Sequence, residues 1–179
     1  ASTIAELAED LTQNSAGTTE LYTLTHGVFA TLAHAQHTPQ RVLTRYLALA
    51  MDRSGWPLIG ERCTRCSTPL TPEATAREGT AEAPGRYLAF HTAHTYGQYT
   101  VLCPKCAPAT DAPLTALTAE DLAYALAAAS PNPSAWETID AAPRGTADKI
   151  LKLYLATTQN LLEHPLKTLG ALEAETPAK

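Results

Sequence analysis

The segment that decides the fold of this chain runs from Cys63-Thr64-Arg65-Cys66 to Cys103-Pro104-Lys105-Cys106 and contains all four of its cysteines. Two Cys-x-x-Cys pairs can place four thiolate sulfurs at the corners of a tetrahedron. Zinc accepts that ligand set at about 2.3 Å from each sulfur and needs no open coordination position. The spacing therefore predicts a structural metal site rather than a catalytic one.

The same cysteines permit two other interpretations, disulfide bridges and an iron–sulfur cluster. The chain opens Ala1-Ser2-Thr3 without a basic or apolar leader, so we expect a reducing, cytoplasmic location in which thiols stay free. That expectation favours a metal over two disulfides. An iron–sulfur cluster uses the same ligands and stays open as an alternative to zinc.

The residues that precede the second pair predict a β-hairpin. Segments 86–91 and 98–102 are rich in aromatic and β-branched residues, and Tyr96-Gly97 lies near the turn between them. The second strand leads directly into Cys103, so a hairpin would bring this pair to the ends of the strands. Residues 67–85 are rich in Pro, Thr, Ala and Glu and are expected to form an exposed excursion.

Residues 63–106 resemble a zinc ribbon or a treble-clef zinc finger, in which two Cys-x-x-Cys turns at one end of a hairpin bind one zinc ion. The resemblance implies four zinc ligands: Cys63, Cys66, Cys103 and Cys106. It also implies that Pro104 shapes the second turn. The chain departs from the pattern in three ways. Ser67 and Ala107 follow the pairs where glycine is usual, the first pair lacks the proline, and 36 residues separate the pairs.

The N-terminal third of the chain shows the apolar periodicity of helices. Thr3 with Glu6 forms a capping-box pattern that predicts the start of a first short helix. A second helix is predicted at 19–35. A third is predicted at 39–52, because Thr38-Pro39 is a favoured N-cap followed by a first-turn proline.

The C-terminal third is predicted to be helical again after a proline-rich connector at 107–117. Thr118 with Asp121 predicts the cap of a helix that reaches Ala129. Ser134 with Glu137 predicts a short helix. Thr146 precedes a longer helix predicted at 147–163.

These elements predict an α+β fold that is mainly α, a helical bundle with an inserted zinc-bound β-hairpin module. We divide the chain into N-terminal helices at 1–55, the four-cysteine module at 56–110 and C-terminal helices at 111–179. The individual helices are short and would bury little surface alone. We therefore expect the first and last regions to pack together as one helical body.

The distribution of charge limits the partners that the chain can bind. The net charge is −5, but residues 61–106 contain five basic and four acidic side chains, so the acidic excess lies in the helices. An acidic body does not favour general adhesion to a phosphate backbone. Contact with a nucleic acid would have to be local, through the cysteine module.

The candidate nucleic-acid-binding residues lie in that module, where basic side chains are interleaved with aromatic ones. Guanidinium groups can pair with phosphates or guanine edges, and aromatic rings can stack on bases. The alternative is that the aromatic residues pack under the hairpin and the arginines pair with nearby glutamates. The candidates are Arg62, Arg65, Arg86, Lys105, Tyr96 and Tyr99.

No catalytic motif is present. The sequence lacks a phosphate-binding loop, a dinucleotide-binding glycine turn, a nucleophile elbow and a His-Glu-x-x-His zinc helix. A zinc ion with four thiolates leaves no position for water, so we expect no enzyme.

Whether His91 or His94 adds to the metal site is left open. Helices 19–35 and 39–53 have few basic residues for a helix-turn-helix reading head.

The sequence thus predicts a zinc-containing nucleic-acid-binding protein, a regulatory or replication accessory factor of a bacterium or its mobile elements. The bacterial origin is inferred from abundant Ala, Thr and Pro and from an excess of Arg over Lys. The alternative is a protein–protein interaction adaptor that uses the zinc module as a rigid platform. The chain contains no stretch of about 18 apolar residues, so no membrane partner is expected.

Overall fold

The computed structural model describes residues 1–14, 18–60, 62–71, 86–90, 99–109 and 114–168. Within these ranges the helices are α1 (Ser2–Asn14), α2 (Thr18–His34), α3 (Pro39–Arg53), α4 (Ala119–Ala129), α5 (Ala135–Ala141) and α6 (Arg144–Leu162). The strands are β1 (Arg86–Phe90), β2 (Tyr99–Leu102) and β3 (Leu114–Leu117). This architecture confirms the predicted fold class, mainly α with an inserted β module.

The helical body is built around α3, which packs against α2, α4 and α6. Every residue of α3 from Val42 to Met51 is buried, including the polar Thr44 and Arg45. Neighbours on three sides explain why this helix has no solvent face over that stretch. The helix begins where the sequence predicts, with Thr38 ahead of Pro39 in the first turn.

Tyrosines fill the centre of this body. Tyr46, Tyr124 and Tyr154 are the largest fully buried side chains among the described residues, and burial raises the pKa of each phenol. The Tyr46 hydroxyl lies 3.3 Å from the Thr25 hydroxyl, a bond that joins α3 to α2. These aromatic rings stabilise the core and are not available to stack on a ligand.

The inserted sheet has three antiparallel strands in the order β2-β1-β3. Tyr87 of β1 pairs with Leu102 of β2 on one side and with Ala116 of β3 on the other. The predicted hairpin of β1 and β2 is therefore present. The predicted irregular connector at 107–117 is wrong in its last part, since 114–117 forms the third strand.

The sheet is joined to the helical body through the end of β3. Thr118 directly follows β3 and caps α4, where its hydroxyl accepts from the Asp121 N–H at 3.1 Å and the Asp121 carboxylate accepts from the Thr118 N–H at 2.9 Å. This is the capping box that the sequence predicts. It sets the angle at which the strand turns into the helix.

The predicted capping box of the first helix is not formed. Helix α1 begins at Ser2, and Thr3 is buried inside it. The Glu6 carboxylate instead accepts hydrogen bonds from the backbone N–H groups of Lys167 and Thr168, at 2.8 and 3.0 Å. A bond between positions so far apart in the chain gives no local signal in the sequence.

Of the next two helices, one begins where the sequence predicts but lacks the predicted side-chain cap, and the other begins earlier than predicted. Ser134 precedes α5 but makes no side-chain cap. Helix α6 begins at Arg144 after Pro143, so Thr146 is a buried residue of the helix and not its cap. None of the described helices is long and apolar enough to cross a membrane. The division of the chain at residues 55 and 110 stays a prediction.

Candidate metal centre and nucleic-acid interface

The four cysteine sulfurs converge on one point. They all lie within 4.8 Å of one another, and the Cys66 and Cys103 sulfurs are 3.7 Å apart. All four thiols belong to the described residues and are free. Four sulfurs bound at about 2.3 Å to one tetrahedral zinc ion would be about 3.8 Å apart. The observed donor set therefore fits zinc. An iron–sulfur cluster needs wider spacing, because several iron and sulfide atoms must fit between the thiolates.

The first knuckle, residues 62–68, is a tight turn closed by backbone hydrogen bonds. The Ser67 N–H donates to the Cys63 carbonyl at 2.8 Å, and the Cys63 N–H donates to the Thr68 carbonyl at 2.9 Å. Ser67 has a φ of +58°, the left-handed conformation that glycine adopts most readily. The chain thus makes a glycine-type turn with serine in the glycine position.

The second knuckle, residues 103–107, closes differently. The N–H groups of Cys106 and Ala107 both donate to the Cys103 carbonyl at 3.0 Å, and Ala107 opens a 3₁₀ turn that ends at Ala109. This geometry requires no left-handed residue, which explains how alanine replaces the expected glycine. The knuckles are also joined directly, because the Thr64 N–H and hydroxyl both donate to the Val101 carbonyl, at 2.9 and 3.1 Å.

Hydrogen bonds lower the pKa of both cysteines of the first pair. The Thr68 hydroxyl lies 3.1 Å from the Cys66 sulfur and, with the Thr68 N–H, lowers the pKa of Cys66 to about 6. Burial opposes ionisation of Cys63, but N–H groups led by that of Cys103 outweigh it and lower the pKa. Neighbouring sulfurs, Cys103 first, raise the pKa of Cys106 to about 12. A bound cation would supply the charge that ionises the remaining thiols.

Three of the predicted contact residues lie on the knuckles with exposed side chains, Arg62, Arg65 and Lys105. The Arg62 guanidinium donates to the Ser67 carbonyl at 3.0 Å, and that of Arg65 donates to the Ala109 carbonyl at 2.9 Å. Among the described residues, neither arginine is paired with a carboxylate. The glutamates of the module, at 61, 73, 78 and 82, lie outside the described residues, so the pairing with glutamates stays an open alternative.

The other predicted contact residues are described less fully. Arg86 and Tyr99 occupy the first positions of β1 and β2, and only their backbone placement is described. Tyr96, His91 and His94 lie outside the described residues. The roles expected for these five side chains stay predictions.

A polar cluster that the sequence did not predict joins α3 to α5. The Nδ1 atom of His37 lies 2.7 Å from the Asp140 carboxylate, and the His37 ring stacks on Trp136 with a centroid distance of 3.8 Å. The Arg45 guanidinium lies over Trp136 at 5.0 Å from the ring centroid and donates to the carbonyls of Ala127, near the end of α4, and Asn132. The position of Arg45 among the apolar residues of α3 is the one signal that could have revealed the cluster.

A groove of about 290 Å³ separates α2 from α3 beside this cluster. Leu24, Val28 and Leu49 contribute apolar walls, and Arg45 and Arg53 contribute charge. The groove was not predicted, since its walls come from helices whose packing cannot be read from the sequence.

The solvent face of α2 next to the groove carries exposed aromatic residues. Tyr22 is 70% exposed and Phe29 is 37% exposed. Glu20 is the only acidic residue of the helix. Such a face, poor in charge and bearing aromatic rings, is typical of the centre of a protein interface.

A family model described as Recombination protein O C terminal matches residues 1–170 of the chain. No solved structure matches the chain. The matched family is one of DNA-recombination proteins and not of enzymes, which agrees with the prediction that the chain is not an enzyme. The match includes the cysteine segment and the helices on both sides of it.

Proposed function

The chain belongs to the recombination protein O C-terminal family, and from this membership we propose that it binds nucleic acid in DNA recombination through a zinc-stabilised cysteine module. Zinc would be held by Cys63, Cys66, Cys103 and Cys106. When bound, the ion supplies a rigid cross-link between the two knuckles and no reactive position.

The charge of the knuckles carries this proposal. Residues 62–71 and 99–109 include Arg62, Arg65 and Lys105 and contain no aspartate or glutamate. Guanidinium groups bind phosphate oxygens with two parallel hydrogen bonds, and a lysine ammonium binds them as a point charge. Three exposed cations around one metal centre thus offer a binding surface to a phosphate backbone.

We expect a moderate affinity for nucleic acid, because two sources of negative charge offset the exposed cations. Four thiolates outnumber the positive charges of a zinc ion, so the centre itself is anionic. The helical body contributes the acidic excess that makes the whole chain −5. Binding should therefore be confined to the module and should weaken steeply with salt.

The contacts of the α3 arginines also favour the cysteine module as the surface that binds nucleic acid. Arg41, Arg45 and Arg53 all donate to backbone carbonyls of other elements, and Arg45 is only 8% exposed. They stabilise contacts inside the helical body. This use of the arginines agrees with the inference that α2 and α3 are not a helix-turn-helix reading head.

The test is the salt dependence of DNA binding, measured by fluorescence anisotropy on labelled single-stranded and duplex oligonucleotides. We expect Arg65→Ala and Arg86→Ala each to weaken binding and to flatten the plot of log affinity against log salt by about 0.7–0.9 per lost phosphate contact. Arg144→Ala is the matched control, because Arg144 is exposed at the start of α6 and lies outside the module. This variant should bind like the wild type.

Two results would overturn the proposal. One is the absence of salt-sensitive binding to any nucleic acid by the zinc-loaded chain. The other is an equal loss of binding in the Arg144 control and in the module variants, because the contact would then be nonspecific.

The second candidate function is a protein–protein adaptor, and the exposed face of α2 favours it. Tyr22 and Phe29 offer exposed aromatic area beside the groove, on a helix whose one acidic residue is Glu20. Tyr22→Ser with Phe29→Ser should abolish capture of such a partner and leave DNA binding unchanged. Loss of DNA binding in this variant would instead place the nucleic acid on the helices.

The cellular role that we propose is that of an accessory factor in the cytoplasm of a bacterium or one of its mobile elements. Membership of the family supports an accessory role in DNA recombination, whereas the sequence alone suggested regulation or replication. A reducing compartment keeps the four thiols available to the metal.

A further inference from the structure

The cysteines of each knuckle differ in their access to solvent. Cys63 is 1% exposed and Cys103 is 4% exposed, whereas Cys66 is an exposed residue and Cys106 is half-buried. Both buried cysteines belong to the hydrophobic core that the cysteine segment shares with the helices. A small solute that reaches the centre from water therefore meets the Cys66 sulfur first.

A sulfur of the other knuckle is close enough to respond. The Cys103 sulfur lies 3.7 Å from that of Cys66, so a disulfide would require the two atoms to approach by less than about 2 Å. Such a bond would join the knuckles across the metal site. It would remove two of the four zinc ligands in one event.

We propose that Cys66 is an oxidation site through which peroxides discharge the zinc centre, so that the cysteine module is a redox-sensitive switch. The inference rests on the zinc centre of the proposed function and extends it to regulation. Its chemistry needs one co-reactant, a peroxide such as hydrogen peroxide.

The two chemical steps balance. The Cys66 thiolate attacks one peroxide oxygen, the O–O bond breaks, and a sulfenic acid and a hydroxide form. The Cys103 thiolate then attacks the Cys66 sulfur, forms the S–S bond and displaces a second hydroxide. Two electrons pass from the sulfurs to the peroxide, and two solvent protons convert the hydroxides to water. Zinc keeps only Cys63 and Cys106 and dissociates.

The nucleic-acid contact would follow the state of the metal. Arg65 lies between Cys63 and Cys66 in the chain, and Lys105 lies between Cys103 and Cys106. Both cations are held in place by knuckles that the metal cross-links. Oxidation should therefore weaken DNA binding, and reduction in the presence of zinc should restore it.

The experiment treats the zinc-loaded full chain with hydrogen peroxide and follows zinc release with a chromogenic chelator. The zinc content is measured first. Peptide mapping of the product then identifies the disulfide. We expect release of one zinc per chain together with a Cys66–Cys103 bridge.

Two variants of the first knuckle test whether the rate of zinc release depends on the solvent access of the cysteine or only on its coordination of zinc. Cys66→His and Cys63→His each leave three thiolates and one imidazole, a set that zinc also accepts. We expect Cys66→His to slow release by about tenfold and Cys63→His to change it by less than about twofold. The wild-type disulfide map tests the proposal even where a variant fails to fold.

Three outcomes would overturn the switch: zinc retained under peroxide, a bridge within one knuckle, or equal slowing by both variants. A chain that contains no zinc before treatment is a different failure. That result would reject the metal centre itself.

Discussion

Lys149 of α6 donates a hydrogen bond from its ammonium to the backbone carbonyl of Ala116 in β3, over 2.6 Å. The same ammonium is paired with the buried carboxylate of Asp121 in α4. One side chain thus joins the sheet, the capped helix and the long C-terminal helix.

Replacing Lys149 with methionine should destabilise the protein by about 1–3 kcal/mol, because the Asp121 carboxylate loses its cation and stays buried. Lys152→Met is the matched control, since Lys152 is exposed on the same helix. It should change stability by less than about 0.5 kcal/mol. Urea unfolding measures both. Equal effects would show that Lys149 contributes no more than a surface charge.

Arg45→Ala should destabilise the helical body by about 2–4 kcal/mol. The substitution leaves the carbonyls of Ala127 and Asn132 without their guanidinium donors and opens a cavity beside Trp136. Arg45→Lys should recover only part of the loss, because an ammonium cannot make the same fork of bonds. Calorimetric melting provides the comparison, and a wild-type melting temperature for Arg45→Ala would contradict the packing described.

Ser67→Gly should stabilise the zinc-loaded protein by roughly 0.5–1 kcal/mol. Ser67 has a left-handed φ of +58°, a conformation in which a Cβ causes strain and glycine, which has no Cβ, does not. Ala107→Gly is the counterpart in the second knuckle and should destabilise by about 1 kcal/mol, since Ala107 is buried in a 3₁₀ turn. Effects of the same sign at the two positions would refute the difference between the knuckles.

The attachment of the C-terminal segment to α1 should weaken in acid. Hydrogen bonds from the Thr168 hydroxyl and from the Lys167 and Thr168 backbone lower the pKa of Glu6 below its ordinary value of 4.5. A group with a lowered pKa stabilises the folded state above 4.5, and that contribution is lost as the pH falls through its folded pKa.

Glu6→Gln should therefore lower the urea midpoint at about pH 7, and the difference from the wild type should vanish in strong acid. Other carboxyl groups titrate in both proteins and cancel in the comparison. A difference that is constant over the whole pH range would mean that the charge of Glu6 contributes nothing.

Local patterns in the sequence predicted the features that depend on neighbouring residues. The two Cys-x-x-Cys pairs predicted the sulfur cluster, and Thr118 with Asp121 predicted the cap of α4. The Thr38-Pro39 start of α3 was predicted for the same reason. The two helix starts are set by contacts within a few residues, and each cysteine knuckle closes within its own turn, although the two knuckles meet across 36 residues of chain.

Features that depend on distant parts of the chain were missed. The third strand, Leu114–Leu117, pairs with a strand that lies far back in the sequence, and its connector contains prolines that favour a loop. The burial of Arg45 was not predicted, because charge normally indicates solvent exposure and burial here depends on carbonyls of other elements. The contact of Glu6 with Thr168 was missed for the same reason.

The zinc content of the purified chain, measured by elemental analysis alongside a free-thiol assay, tests the central claim most directly. The account predicts one zinc per chain, no disulfide, and loss of the metal in Cys103→Ser with increased hydrogen exchange through at least residues 60–110. Metal-free protein, thiols joined in bridges, or unchanged metal content and melting in Cys103→Ser would contradict it.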